Sequence, residues 1–304
     1  MTRPESVRIG TRRSRLARAQ AEIVARAIVA AGIAGRVELV EISTRGDRIS
    51  AAHPGGGHAA TDGQFTAELE QAVRDGRVDA AVHSYKDLPT ATGPGVVVAA
   101  VPPRADPRDC LVGRFPGGLA GLPPGAVVGT GSARREAQLM AARPDLVTRP
   151  VRGNVETRIA RAQAGAYDAV VLACAGLDRL GMPPSDEARL PFETMLPAPA
   201  QGALAIQVRS GDRQLRERMA EIDDPDARLA SDIERALLLR LGGGCLAPLG
   251  VLAEVLGGRV RLRAAYAARD GALGRVDLEG PTADREGIVE AALRGLQSRA
   301  EAGG

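Results

Sequence analysis

The sequence predicts an α/β protein made of two similar halves and a smaller third unit. Three observations carry that expectation. The chain opens strand–helix–strand, the same order returns after a proline-rich crossing at residues 102–107, and the stretch from Asp226 onward runs helix, hairpin, helix. At 304 residues the chain also exceeds what one small core organises.

The first strand is Val7 to Gly10. The helix after it carries Leu16, Ala19, Ile23, Ala27 and Ala30 on one face and stops near Gly32. A second strand, Val37 to Ile42, completes a βαβ unit, which implies a parallel sheet with helices packed on it. Residues 50–64, with His53, the run Gly55-Gly56-Gly57 and His58, read as a polar loop serving as a lid. No third ligand at matching spacing accompanies the two histidines, so no metal is expected. A helix from Phe65 to Asp75 buries Phe65, Leu69, Ala72 and Val73 and ends at Gly76. Val78 to Val82 is a short buried strand, and Val96 to Val101 a fully apolar one.

Beyond the crossing, Ala126 to Thr130 is a strand, followed by a helix through Arg134, Arg135, Leu139 and Ala142. Leu146 to Val151 is the next strand, and Asn154 caps a helix holding Val155, Ile159 and Ala162, closed by Gly165. Tyr167 to Ala173 returns as a strand. Pro197 to Gly202 is a second crossing, followed by a strand from Ala203 to Val208. A chain that crosses twice between two α/β halves forms a hinge, as in solute-binding proteins that close on a ligand. The third unit starts with a helix through Leu229, Ile233, Leu237 and Leu241, then a hairpin of Val251 to Leu256 and Arg259 to Ala267 around Gly257-Gly258, then a helix from Asp284 to Ala300. The expected domains are residues 1–102 with 200–222, residues 103–199, and residues 223–304.

Composition excludes several classes. There is no Trp, and Tyr and Phe number three each, which leaves no aromatic platform for single-stranded nucleic acid. Net charge is +3 and no basic block coats a phosphate backbone, so no nucleic-acid partner is expected. No run approaches the ~18 apolar residues of a membrane span, and no signal-peptide stretch follows Met1. Three cysteines without paired spacing suit a reducing cytoplasm.

The chemistry concentrates in Val78 to Pro89, where a strand runs out into Ser84, Lys86 and Asp87 at the rim of a sheet, the place where open α/β proteins hold ligands. Lys86 is the only lysine among 40 basic residues. Alone, Lys86 and Asp87 equally describe a surface ion pair. Arginines recur at strand-to-helix junctions: Arg12 with Ser14, Arg134 with Arg135 after Thr130 and Ser132, and Arg152 with Arg158. Three such junctions suggest a site for a polycarboxylate. Cys174 sits in an apolar run and Cys110 opens an apolar patch, so both read as structural. Cys245 follows three glycines on a loop whose backbone approaches a ligand closely, which makes it a candidate attachment point, although its sequence neighbours supply neither base nor positive charge.

Taken in order, seven stretches resemble the hydroxymethylbilane synthase (porphobilinogen deaminase) family. They are Arg12-Arg13-Ser14, His83 to Pro89, Asp106-Pro107-Arg108-Asp109, Gly129 to Arg135, Arg152-Gly153-Asn154 with Thr157-Arg158, Leu196 to Pro199 with Gln201-Gly202, and Gly243-Gly244-Cys245 with Pro248. The resemblance implies two domains like type II periplasmic binding proteins plus a smaller C-terminal α/β domain. It implies a dipyrromethane cofactor joined to Cys245 by a thioether. The activity implied is a transferase of tetrapyrrole (heme) biosynthesis that condenses four porphobilinogen molecules head to tail with loss of ammonia, then releases hydroxymethylbilane. Asp87 would be the catalytic acid/base, assisting loss of ammonia and steadying the cationic azafulvene. Lys86, Ser84, Asp87, Thr130, Ser132, Arg134, Arg135 and Arg158 would hold the cofactor. Arg12, Ser14, Arg152, Arg179 and Gln201 would hold substrate. A cytoplasmic monomer is implied, with porphobilinogen as its small-molecule partner.

The chain departs from the family at three places. Asp62 stands where some relatives carry lysine, Ala200 where glycine is usual, and Leu238, Leu239 and Leu246 are more apolar than is common near the cysteine. The competing readings are a non-catalytic clamshell binding or sensory protein, and a diverged paralogue acting on another pyrrole. An acyl or phosphoryl transferase lacks its Gly-rich Lys-Ser/Thr loop and a His partner for Cys245.

Overall fold

The computed structural model describes residues 4–47, 66–91, 93–242, 247–268 and 272–301. The chain opens with β1 (Ser6–Thr11), α1 (Arg15–Ala30) and β2 (Arg36–Glu41), β1 and β2 lying parallel as expected. Ser14 caps α1 by accepting the Ala17 N–H at 3.2 Å. Next come α2 (Ala67–Arg74), β3 (Ala80–Ser84), a 3-10 turn (Tyr85–Asp87) and β4 (Val96–Ala100). The expected lid over residues 50–64, with His53, His58 and Asp62, lies outside the described residues, as does Phe65.

The chain continues with β5 (Asp109–Gly113), β6 (Val127–Gly129), α3 (Ala133–Ala142), β7 (Val147–Arg149), α4 (Val155–Gln163), β8 (Ala169–Ala173) and α5 (Cys174–Arg179). Then follow β9 (Leu204–Arg209), α6 (Arg213–Met219), α7 (Pro225–Arg240), β10 (Leu249–Leu256), β11 (Arg259–Ala267), β12 (Leu273–Pro281) and α8 (Arg285–Glu301).

Two compact units result, Met1–Ala105 with Ala203–Arg228, and Asp106–Gly202 with Leu229–Gly304. The first holds one sheet in the order β2-β1-β3-β9-β4, in which β9 runs antiparallel to both neighbours. Side chains alternate across it. Val7, Ile9, Ala80 and Val82 pack on Val24 and Ile28 of α1, while Ala81 joins Leu69, Ala72 and Val73 of α2 on the other face.

The second unit holds two sheets, β5-β8-β6-β7 and β10-β11-β12. Written from its own second strand, the former reads β7-β6-β8-β5, the order of β2-β1-β3-β9 in the first unit. In each, three parallel strands are joined by one antiparallel strand that follows a crossing. The expected pair of like α/β halves is therefore present as a repeated topology. The β10–β12 sheet keeps its own core with α7 and α8, through Ile233, Leu237, Leu262 and Leu296. It shares a small cluster with the rest of its unit through Leu196, Leu252 and Ala265.

Candidate active site

In the first unit, β1, β2 and β3 are parallel neighbours, so their carboxyl ends share one edge of the sheet. Arg12 leaves the end of β1 and its Nε donates to Asp47 at 3.1 Å. Burial pushes the Asp47 carboxyl up, but the Arg12 guanidinium and the Thr44 hydroxyl more than reverse this, holding it below the usual carboxylate range. Ser84 closes β3 and accepts from Gln20 Nε2 of α1 at 2.8 Å, which ties helix to strand end. The 3-10 turn then lifts the chain, leaving Lys86 half-buried and Asp87 exposed. The strand was expected to end at Val82. It runs to Ser84 because His83 and Ser84 pair with Ala205 and Leu204 of β9.

His83 is buried, and burial lowers its pKa to about 4; the neighbouring Gln207 side chain recovers only part of the shift. The neutral ring is therefore the folded form. Stability from this group is complete above the unfolded pKa of ~6.5 and is lost as pH falls toward 4. The expected loss is about 3 kcal/mol across that window. Chemical denaturation at pH 7 and pH 4.5 should show it, and His83→Gln should flatten the difference.

In the second unit, Asp109 starts β5 directly opposite Ala173, the last residue of β8, and so lies at the carboxyl ends of that sheet's parallel strands. It is fully buried. The first turn of α3 brings two guanidinium groups onto it: Arg134 Nη1 lies 2.8 Å from Oδ2 and Arg135 Nη2 2.7 Å from Oδ1. Arg135 Nη1 also donates to Val171 O at 2.9 Å, and Arg134 Nη1 donates to Leu196 O. Burial raises the Asp109 carboxyl; Arg134 and then Arg135 overcome it, so Asp109 stays ionised well below the usual range. Gln201 is buried as well, its Nε2 donating to Pro107 O at 2.8 Å and to Asp109 Oδ1 at 2.9 Å.

Arg134, Arg135 and Gln201, expected as ligand contacts, each contact Asp109 and a backbone carbonyl here. The other arginines differ. Arg152 is exposed, Arg158 Nε donates to Gly153 O at 2.9 Å, and Asn154 caps α4 by accepting the Thr157 N–H. Arg179, at the end of α5, donates from Nη2 to Gly202 O at 2.6 Å. Its guanidinium makes no ion pair with a carboxylate among the described residues. Burial lowers its pKa to about 10, with Asp178 offsetting part.

Thr130 is buried and its hydroxyl accepts the Ser132 N–H at 3.2 Å, while Ser132 makes no side-chain capping bond at the start of α3. Cys110 and Cys174 are both buried free thiols, as structural cysteines should be. Cys245 lies outside the described residues. Sequence reasoning missed Asp109 as the organiser of the arginines; its signal was a charged residue opening an apolar run.

A family model described as "Porphobilinogen deaminase, dipyromethane cofactor binding domain" matches residues 7–217. Another, "Porphobilinogen deaminase, C-terminal domain", matches residues 229–294. The chain is 51% identical over 274 residues to the porphobilinogen deaminase of Mycobacterium ulcerans, covering 87% of this chain and 85% of the relative. It is 50% identical to that of Mycobacterium tuberculosis, covering 87% of both. Among solved structures it is similar to a periplasmic substrate-binding protein of an ABC transporter from Coxiella burnetii. That match has 17% identity and a TM-score of 0.45 and covers 78% of this chain and 98% of that one.

Proposed function

The chain belongs to the porphobilinogen deaminase family, and we infer from that premise how its own residues divide the reaction. The activity is that of a hydroxymethylbilane synthase, a transferase that condenses porphobilinogen with release of ammonia. The observation that carries our division of roles is the position of Asp87, an exposed carboxylate at the carboxyl end of β3. From there it accepts a hydrogen bond from a pyrrole N–H of the substrate. Its charge stabilises the positive charge that develops on the substrate methylene as the C–N bond breaks and ammonia takes the electron pair. Asp87 also moves the protons that the departing amine and the new carbon–carbon bond require.

Each pyrrole unit carries an acetate and a propionate, so the donor set must be cationic. The residues present fit a dipyrromethane on this chemistry. The donor set is Lys86 with the Ser84 hydroxyl, and Thr130, Ser132 and Arg158 beside the net positive charge of the Arg134–Arg135–Asp109 cluster. When bound, the dipyrromethane supplies the pyrrole carbon to which new units are joined; Cys245 is its attachment point in this reading. Arg12, Ser14, Arg152 and Arg179 orient incoming substrate. Arg179 is best suited, because its half-buried cation makes no ion pair with a carboxylate among the described residues.

Arg179→Gln is expected to raise KM for porphobilinogen about tenfold while leaving the fold intact. Porphobilinogen consumption and ammonia release, measured together, test the reading. A chain that binds porphobilinogen and releases no ammonia would be a binding protein instead. The reading carries a monomer working in the cytoplasm; no helix of the described residues is long and apolar enough to cross a membrane.

A further inference from the structure

Glu234, midway along α7, is a carboxylate with no exposed surface. Its Oε2 accepts the Ala200 N–H at 2.6 Å, and its Oε1 accepts the Ala253 N–H of β10 at 2.8 Å. Ala200 has φ of 58°, a left-handed conformation that no other non-glycine residue adopts among the described residues. An L-residue holds that conformation only against a steric penalty, so an outside contact must support it. Glu234 makes that contact.

The two residues after Ala200 touch the arginine cluster. Gln201 donates to Asp109 Oδ1, the atom that also holds Arg135 Nη2, and Gly202 O accepts from Arg179. A single carboxylate on a helix of the third sheet thus secures a turn whose next two residues contact Asp109 and Arg179. An apolar side chain would fill the same space without holding either N–H.

Resting on the porphobilinogen deaminase reading, we propose that Glu234 is a positioning residue of the reaction. It fixes the Ala200–Gly202 turn, and through Gln201 and Gly202 it holds the Arg134–Arg135–Asp109 cluster and the Arg179 guanidinium, whose net positive charge attracts the carboxylate arms. It touches neither substrate nor cofactor. A residue acting this way changes how well substrate is held more than how fast bound substrate reacts.

Two full-length variants test this: Glu234→Gln, of equal shape with one acceptor oxygen, and Glu234→Asp, with both oxygens withdrawn by a methylene. Each is expected to raise KM for porphobilinogen about fivefold or more, with kcat within about twofold of the parent. Hydrogen exchange without substrate should quicken in segments 106–110, 174–180 and 197–203. Combined with Gln201→Met, the KM effect of Glu234→Gln should fall well short of the sum of the two singles, because both act through Asp109. A lowered Tm with unchanged KM, and with faster exchange confined to the neighbourhoods of Ala200 and Ala253, would overturn the proposal. So would failure of both variants to fold, which marks a carboxylate needed only for structure. An inactive parent enzyme would instead sink the family reading, and the exchange pattern would still decide the role of Glu234.

Discussion

Asp87→Ala is expected to lose turnover of porphobilinogen by a factor of about 10³ or more, with an unchanged melting temperature. The size follows from asking one carboxylate to do two jobs, proton transfer and stabilisation of a developing cation. The intact fold follows from position. Asp87 is exposed on a 3-10 turn, while the strand beneath it is held by β1 and β9 and by the bond between Gln20 and Ser84. Asp87→Asn should fall nearly as far, because an amide accepts a hydrogen bond but carries no charge. Steady-state rates beside a thermal melt check both, and parent-like turnover in either variant removes Asp87 from the chemistry.

Asp109→Ala is expected to destabilise the second unit by about 3–5 kcal/mol, because it leaves two buried guanidinium groups without their counter-charge. For a unit of this size that is a fall in Tm of roughly 10 °C. Replacing the whole cluster with well-packed apolar residues would cost far less, since the damage lies in the unpaired cations. Asp109→Asn still accepts from Gln201 and Arg135 but neutralises neither cation, so it should lie nearer alanine than the parent. The pH dependence has a definite sign. The folded carboxyl sits below its unfolded value, so the stabilisation is complete above the usual carboxylate range and is lost only as pH falls through the lower, folded pKa. Denaturant titrations of parent and Asp109→Asn should therefore converge only in strong acid.

How much of this was legible beforehand depends on whether the cause was local. The opening βαβ unit, the Asn154 cap and the Gly257-Gly258 hairpin depend on short-range pattern, and all are present. β5 escaped notice because its first residues, Asp109 and Cys110, serve the arginines and the neighbouring strand rather than an apolar stripe. The strand end at Ala173 was legible, but the short helix α5 after it was not, because Cys174 and Ala175 continue a buried run that gives no helical periodicity. β12 was hidden by Gly274 and Gly280, which interrupt its alternation. At the site, the residue types and their order were readable, and Asp87 stands at a strand rim as expected. The division of the arginines was not. Arg134 and Arg135 are sealed against Asp109 while Arg152 stays exposed, and only tertiary packing decides which guanidinium is already occupied.

The central claim, a dipyrromethane tethered through one thiol, is tested most directly by the intact mass of the purified chain. The account predicts a mass above that of the polypeptide by two porphobilinogen units less two ammonia, carried by the peptide that contains Cys245. In Cys245→Ser both that increment and turnover should be missing. An unmodified parent chain that still converts porphobilinogen, or the same increment found on Cys110 or Cys174, would contradict it.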